Sequence, residues 1–463
     1  MTKRRAVSLF GLVLILAAGV AAALLLSNRR DVTTSSDEAY KVYREATENE
    51  RRFYYKEARL GFARALELDP DFAMAMLGMA RMSEKEQAIS LVRRAEKLKG
   101  RLTDREQRHI DLHEALLEKS PEDRQKIAHE ILERYPDDFR ATTMIAMYEM
   151  SKGRAEEAVR VFSRLLEVDP NSADAYNMIG YHYGYRGDYE KALENLRKYQ
   201  FMAPDQANPH DSIGEIQAFS GHYDEAIANL NHALKIKPDF FPAYDHLGVA
   251  YEGKGDFQKA FQSYLKGSEL IPVDSEKGSY LYQALRAAYL GGDVAAARSL
   301  LPKFEQIPKD EHTEIARPLV VAIYDLVEGR PADAEKRLAE LKPRADQHLR
   351  EMNKNRPDYK PYWADWSWVM VRAKLALGKD AEAVPLLEQM VEPPGGWQRF
   401  EGRLMVYEAK AQLAAILAKR GELDRAEKLL EENRKWNPTW APTRPAEQTV
   451  AQLRAAKVLA SAK

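Results

Sequence analysis

Apolar side chains recur at intervals of three and four in paired runs along most of the chain, and a proline closes each pair. Pro136, Pro170, Pro204, Pro238 and Pro272 are each 34 residues apart. That spacing gathers the apolar residues onto one face of a helix, so each unit predicts two amphipathic helices. Inside each unit a glycine stands five residues before an alanine. The pairs are Gly153/Ala158, Gly187/Ala192, Gly221/Ala226 and Gly255/Ala260, followed at wider intervals by Gly292/Ala297, Gly329/Ala334, Gly378/Ala383 and Gly421/Ala426. The glycine ends the first helix without a Cβ penalty. Small residues such as Gly180 and Ala192 fall where the paired helices approach closely, and the proline stops the second helix. No single unit can bury its own apolar face, so the core must come from stacking neighbours.

The run YHYGYRGDYEKALENLRKYQFMAPD, residues 181–205, tests this register. Its alternating Tyr181, Tyr183 and Tyr185 read locally as a strand. In the repeat they belong to the end of a first helix instead. The register predicts Tyr183, matched by Tyr251, as interior, and Tyr189, matched by Tyr223 and Phe257, as packing at the start of the second helix. Tyr181 and Tyr185, four apart, share the opposite face of the first helix.

The unit from Ala173 to Pro204 carries Ile179, Gly180, Tyr183, Gly187, Tyr189, Ala192, Leu196 and Pro204, and this set resembles the tetratricopeptide repeat (TPR) family. The unit from Phe241 to Pro272 matches nearly as well. Ala58, Phe62, Ala65 and Pro70 fit a first repeat; Leu413, Ala414, Gly421, Ala426, Leu430 and Pro438 fit a last one. The resemblance covers most of residues 37–440. It implies an all-α, right-handed superhelical solenoid of helix-turn-helix repeats, with the first helices facing a concave groove.

The N-terminus departs from the pattern. Residues 1–5 are a basic flank containing Lys3, Arg4 and Arg5, and 6–26 form an uncharged apolar run. As a helix that run would extend roughly 31 Å, enough for a hydrocarbon core of about 30 Å. It is read as a transmembrane signal anchor oriented N-in, which places the solenoid outside the cytoplasm, in the periplasm of an inner-membrane protein. Ala21, Ala22 and Ala23 keep open a cleaved signal peptide. A reversed anchor would make the protein a cytoplasm-facing adaptor. Residues 27–36 form a polar tether, 37–302 the regular array (irregular at 71–135, with a Thr103/Glu106 capping box), 303–440 a divergent tryptophan-rich array, and 441–463 a C-terminal cap helix.

Seventy basic residues against 71 acidic ones give no bulk attraction to nucleic acid. The absence of cysteine excludes disulfides, thiolate zinc sites and a catalytic cysteine. No GxGxxG, GxxxxGK[ST], GxSxG or HExxH occurs, and the ten histidines are scattered. No catalytic residue, cofactor site or metal site is therefore assigned, and the chain reads as a non-enzyme. Projected onto the groove face, the repeats present Asp174, Asn177, Tyr181, Tyr185, Asp211, Glu215, Phe219, Asp245 and Glu252. This acidic, aromatic set predicts a site for a peptide carrying basic and apolar residues. It argues against the carboxylate clamp of the chaperone-binding members of the family. Trp397 and Phe400, beside Pro-Pro-Gly-Gly, form a second candidate interface loop. The function expected is a membrane-anchored scaffold for protein–protein interactions in assembly of an envelope or membrane complex. The alternative is an accessory or regulatory subunit of a membrane enzyme.

Overall fold

The structure, a computed structural model, describes residues 30–118, 120–271, 274–307, 311–352, 362–392 and 400–461. The expected anchor at 6–26, its basic flank and Trp397 lie outside the described residues, as does the Phe400 side chain. Among the described residues every regular element is helical, with no strand, and no helix is long and apolar enough to cross a membrane. The chain divides into two compact units, one formed by the residues up to 50 and 55–119, the other by 51–54 and 120–463.

In the first unit the helices Asp37–Arg51, Tyr55–Leu68, Ala73–Ala80, Lys85–Glu96 and Asp104–Glu118 follow one another. Tyr43, Phe62 and Phe72 form its aromatic centre, with ring centroids 5.9 and 4.7 Å from Tyr43. Thr103 and Glu106 cap the last helix reciprocally, the Thr103 amide donating to Glu106 at 2.9 Å and the Glu106 amide to Thr103 Oγ1 at 3.4 Å. Glu106 does more than cap. It also accepts from the amide and hydroxyl of Thr33 at 2.6 and 2.7 Å, while Asp69 accepts from Thr34 Oγ1 and the Ser35 amide at 2.5 and 2.8 Å. Burial pushes the Asp69 carboxyl up, but these hydrogen bonds outweigh it and leave its pKa lowered. Residues 33–35 of the expected tether are thus fastened to the unit that follows them.

In the second unit helices alternate as first and second members of a pair. The regular pairs are Phe139–Ser151 with Ala155–Val168, Ala173–Tyr185 with Tyr189–Met202, Ala207–Phe219 with Tyr223–Ile236, and Phe241–Lys254 with Phe257–Leu270. Asp138, Asp188 and Asp256 accept from the amide three residues on, capping the helices that follow them. The pairing continues to Leu423–Trp436 at a wider stride, with longer helices such as Asp274–Leu290, Pro331–Met352 and Phe400–Lys419. The final helix is Arg444–Ser461. YWADWSWVM supplies the first helix of a pair, Ala364–Ala376, which buries Trp366 and Trp368.

The glycines of all eight Gly/Ala pairs, Gly153, Gly187, Gly221 and Gly255 among them, have φ between 67° and 88°, and no other described glycine is in that region. Their alanine partners are fully buried. Ala158, Ala192, Ala226 and Ala260, like the four later alanines of the series, have no exposed surface. The reason is the closeness of the paired first helix: a Cβ on Gly180 would stand 3.2 Å from the Ala192 carbonyl oxygen, and one on Gly214 would stand 3.1 Å from that of Ala226. Gly180 shows why smallness is needed on both sides of this approach, since its Cβ would also lie 2.7 Å from Leu196.

The turn glycines also receive a distant segment. Residues 436–441, WNPTWA, cross the turns at Gly187, Gly221 and Gly255. Trp436 stands edge-on to Tyr189, with centroids 6.4 Å apart, and a Cβ on Gly187 would come within 2.1 Å of its ring. The Tyr223 hydroxyl donates to Asn437 Oδ1 at 2.9 Å, Asn437 Nδ2 donates to the Phe219 carbonyl at 3.1 Å, and Thr439 Oγ1 donates to the Gly221 carbonyl at 3.1 Å. The end of the array is therefore strapped onto its middle.

Candidate functional site

The first helices carry the residues expected to face the groove, and the 34-residue period decides what they meet. Asn177, Asp211 and Asp245 occupy one position in successive repeats; Tyr181 and Glu215 share another; Glu252 and Arg286 share a third. Residues one repeat apart lie on neighbouring helices, so polar groups at these positions can pair across the stack. They do. The Tyr181 hydroxyl donates to Glu215 Oε2 at 2.6 Å and stands 3.2 Å from Ser212 Oγ. His246 Nδ1 lies 2.8 Å from Asp211 Oδ1, and its Nε2 lies 3.4 Å from Glu215 Oε2. Burial alone would lower the pKa of this imidazole; Asp211 and Glu215 outweigh it and hold the pKa well above the ordinary value. Beside the same carboxylates, the half-buried Tyr181 phenol is pushed well up, first by burial.

Further along, a second cluster is sealed completely. Glu252, with no exposed surface, is ion-paired with Arg286 and accepts from the Tyr264 hydroxyl at 3.3 Å. Arg286 Nη2 also lies 3.8 Å from Glu408, which pairs with Arg372 and accepts from Trp368 Nε1 at 2.8 Å. The Arg372 guanidinium stacks 3.4 Å from the centre of the Trp368 ring. Two carboxylates and two guanidiniums thus close on one another across four first helices, their formal charges cancelling. Burial raises the Glu252 pKa despite its arginine, and lowers that of Arg372.

These contacts correct the picture of an open acidic groove. Asp211, Glu215 and Glu252 are buried against cationic and hydroxyl partners from adjacent repeats, and Phe219 is buried in the apolar core. Asn177 is buried too, and its Oδ1 has no partner among the described residues. The repeat alanines Ala158, Ala192, Ala226 and Ala260 are out of reach of any partner as well. With 0% exposure they serve the helix–helix approach, the structural place that the repeat spacing assigned to them. Asp174 is half-buried and accepts from Arg51 Nε at 2.8 Å. Tyr185 and Asp245 are half-buried. Tyr183, expected in the interior, is half-buried beneath Lys191, whose ammonium lies 5.4 Å from the ring centre. His182 beside it is buried, set against Phe162 at 5.5 Å, with neither ring nitrogen hydrogen-bonded among the described residues. Burial pulls its pKa down to about 4. Sequence reading missed His246, Arg286, Arg372 and Glu408. Opposite charges one period apart, as at Glu252 and Arg286, were the available signal. Among the described residues no group of three or more acidic or histidine side chains is arranged to hold a metal ion.

Models of the TPR repeat match residues 214–255, and models of the tetratricopeptide repeat match residues 143–207 and 241–274. The chain contains tetratricopeptide repeats. No curated protein matches it. Among solved structures it is similar to the Cut9–Hcn1 hetero-tetramer of the APC/C, with 14% identity over 95% of this chain and 81% of that one and a TM-score of 0.48. It is also similar to yeast Tom70, at 16% identity over 92% and 96% and a TM-score of 0.39, and to Pseudomonas aeruginosa PilF, at 18% over 47% and 97% and a TM-score of 0.34.

Proposed function

We propose that the chain is a non-enzymatic scaffold that holds protein partners of an envelope or membrane complex. The observation that supports this is the pairing of the first-helix polar groups with one another. Residues of types that elsewhere serve chemistry on a substrate here join repeat to repeat, which stiffens an array whose remaining surface is free to hold other proteins. The partner read from the groove carries basic and apolar residues. Its contact is confined to the half-buried positions Asp174, Tyr181, Tyr185 and Asp245, since Asn177, Asp211, Glu215, Phe219 and Glu252 are buried.

Residues 6–26 anchor this scaffold in an inner membrane with the solenoid in the periplasm; the run's length and the preceding basic residues support that reading. A compartment-sensitive reporter fused after Lys463 tests it, with activity of a cytoplasm-only reporter reversing the topology. The scaffold reading is tested by deleting the gene and running native membranes on a blue-native gel. Loss of one defined complex is expected. An intact complex whose enzyme has lost activity would instead show an accessory subunit.

A further inference from the structure

The central repeats carry a feature that neither the paired first-helix groups nor the scaffold reading absorbs. Tyr176 and Lys198, His210 and His232, and Tyr244 and Lys266 occupy the same two positions in three consecutive repeats, 34 residues apart. The first two couples touch: Lys198 lies 5.7 Å from the centre of the Tyr176 ring, and the two histidine rings stand 4.2 Å apart. At the third repeat the stripe opens into a shallow, solvent-open cavity of about 580 Å³ between the helices Tyr223–Ile236, Phe241–Lys254 and Phe257–Leu270. Lys235, Lys259 and Lys266 line it together with Tyr244 and Tyr251, and no carboxylate does. In a chain whose formal net charge is −1, that is a local departure.

Two of the ammoniums have carboxylate neighbours outside the cavity, Lys259 with Asp256 at 2.8 Å and Lys266 with Glu269 at 3.4 Å. Both pairs are solvent-exposed, where such contacts hold a side chain only weakly. Lys235 has no carboxylate partner among the described residues. One repeat earlier, the position of Lys235 is filled by Phe201, which is 86% exposed. Its chain neighbour Met202 is exposed as well, at 37%, as is Val168, the residue one repeat before Met202, at 51%. By register, an apolar ledge and a cationic, aromatic-walled cavity lie along one row of second helices.

We infer that this row binds an extended acidic segment of a protein partner, whose carboxylates enter the lysine cavity while an apolar residue covers Phe201. Charge complementarity selects the acidic class. The leucine and tyrosine walls and the Phe201 ledge favour a peptide over a nucleic acid, whose phosphates would call for an unbroken cationic track. The inference takes the scaffold reading as its premise and adds a partner chemistry opposite in sign to that of the groove.

The test uses the full chain in detergent and a short fluorescein-labelled peptide of glutamates with two leucines, followed by fluorescence anisotropy. The peptide binds, and raising salt weakens it. The variant Lys235→Glu/Lys259→Glu/Lys266→Glu, checked for unchanged circular dichroism, loses about tenfold or more in affinity, and Phe201→Asp also weakens binding. Failure of the native chain to bind the peptide overturns the inference. So does equal binding by the lysine variant, or tighter binding of single-stranded DNA. Complex assembly on the blue-native gel is read separately, so the scaffold premise and this surface fail independently.

Discussion

Arg286→Met removes the cation between Glu252 and Glu408 while keeping a long, unbranched side chain in its place. Arg286 is 1% exposed and Glu252 has no exposed surface, so no solvent can replace the lost partner. Removing one member of such a buried pair costs about 3–5 kcal/mol. That is a large share of the roughly 5–15 kcal/mol that holds a folded domain together. Urea unfolding of the full chain, followed by tryptophan fluorescence, measures it. The double variant Glu252→Gln/Arg286→Met should recover most of the loss, because it leaves no unpaired charge. The pH dependence has a fixed sign. Losing the arginine raises the folded-state pKa of Glu252 further above its unfolded value, so the penalty is fully present above that raised pKa and fades as pH falls through it. The variant should therefore approach the native chain on acidification. A loss below about 1 kcal/mol, a size ordinary for exposed pairs, would refute the sealed pair. So would a deficit that does not shrink at acid pH.

His182 predicts an acid-side weakness. Its folded pKa, pulled down to about 4 by burial, lies below the unfolded value of about 6.5, so its neutral form contributes stability above pH 6.5 that is lost as pH falls from there to 4. The loss amounts to about 3 kcal/mol. His182→Phe should flatten that limb of a stability–pH curve, and an unchanged curve would show that the imidazole already reaches water. Gly187→Ala and Gly421→Ala separate turn strain from the strap. Both glycines have positive φ, 80° and 88°, which costs an alanine about 1–2 kcal/mol. Only at Gly187 would the new Cβ also meet Trp436, so Gly187→Ala should melt lower than Gly421→Ala, and adding Trp436→Ala should narrow the gap. Equal melting temperatures would mean that the strap is not seated.

The repeat was legible because each of its signals answers one local backbone need. A glycine at a left-handed turn, an alanine at a close approach and an aspartate at a helix start can each be read without knowing what lies beyond the unit. The state of the concave face was not legible in the same way. Glu252 and Arg286 share the period, but what seals them is Glu408 with Arg372, spaced 36 apart in the widened part of the array. The strap lands on turns some two hundred residues earlier in the chain, and nothing in a 34-residue pattern carries that distance. Proline was ambiguous for a related reason. It closes units at the regular spacing, yet Pro318, Pro343 and Pro385 lie inside helices. Tyr183 lies nearer the surface than its register implied, with the lysine of the next helix over its ring, whereas the neighbouring imidazole of His182 faces Phe162.

Carboxylate footprinting reads the self-paired face most directly. The full chain would be treated with a water-soluble carbodiimide and an amine under native conditions, digested, and the modified acids located by mass spectrometry. Asp211, Glu252 and Glu408, each at most 2% exposed, should remain unmodified, while Asp224, whose side chain is 83% exposed, is labelled readily. Labelling of Glu252 and Asp211 at the rate of Asp224 would contradict the account, returning these residues to an open acidic groove.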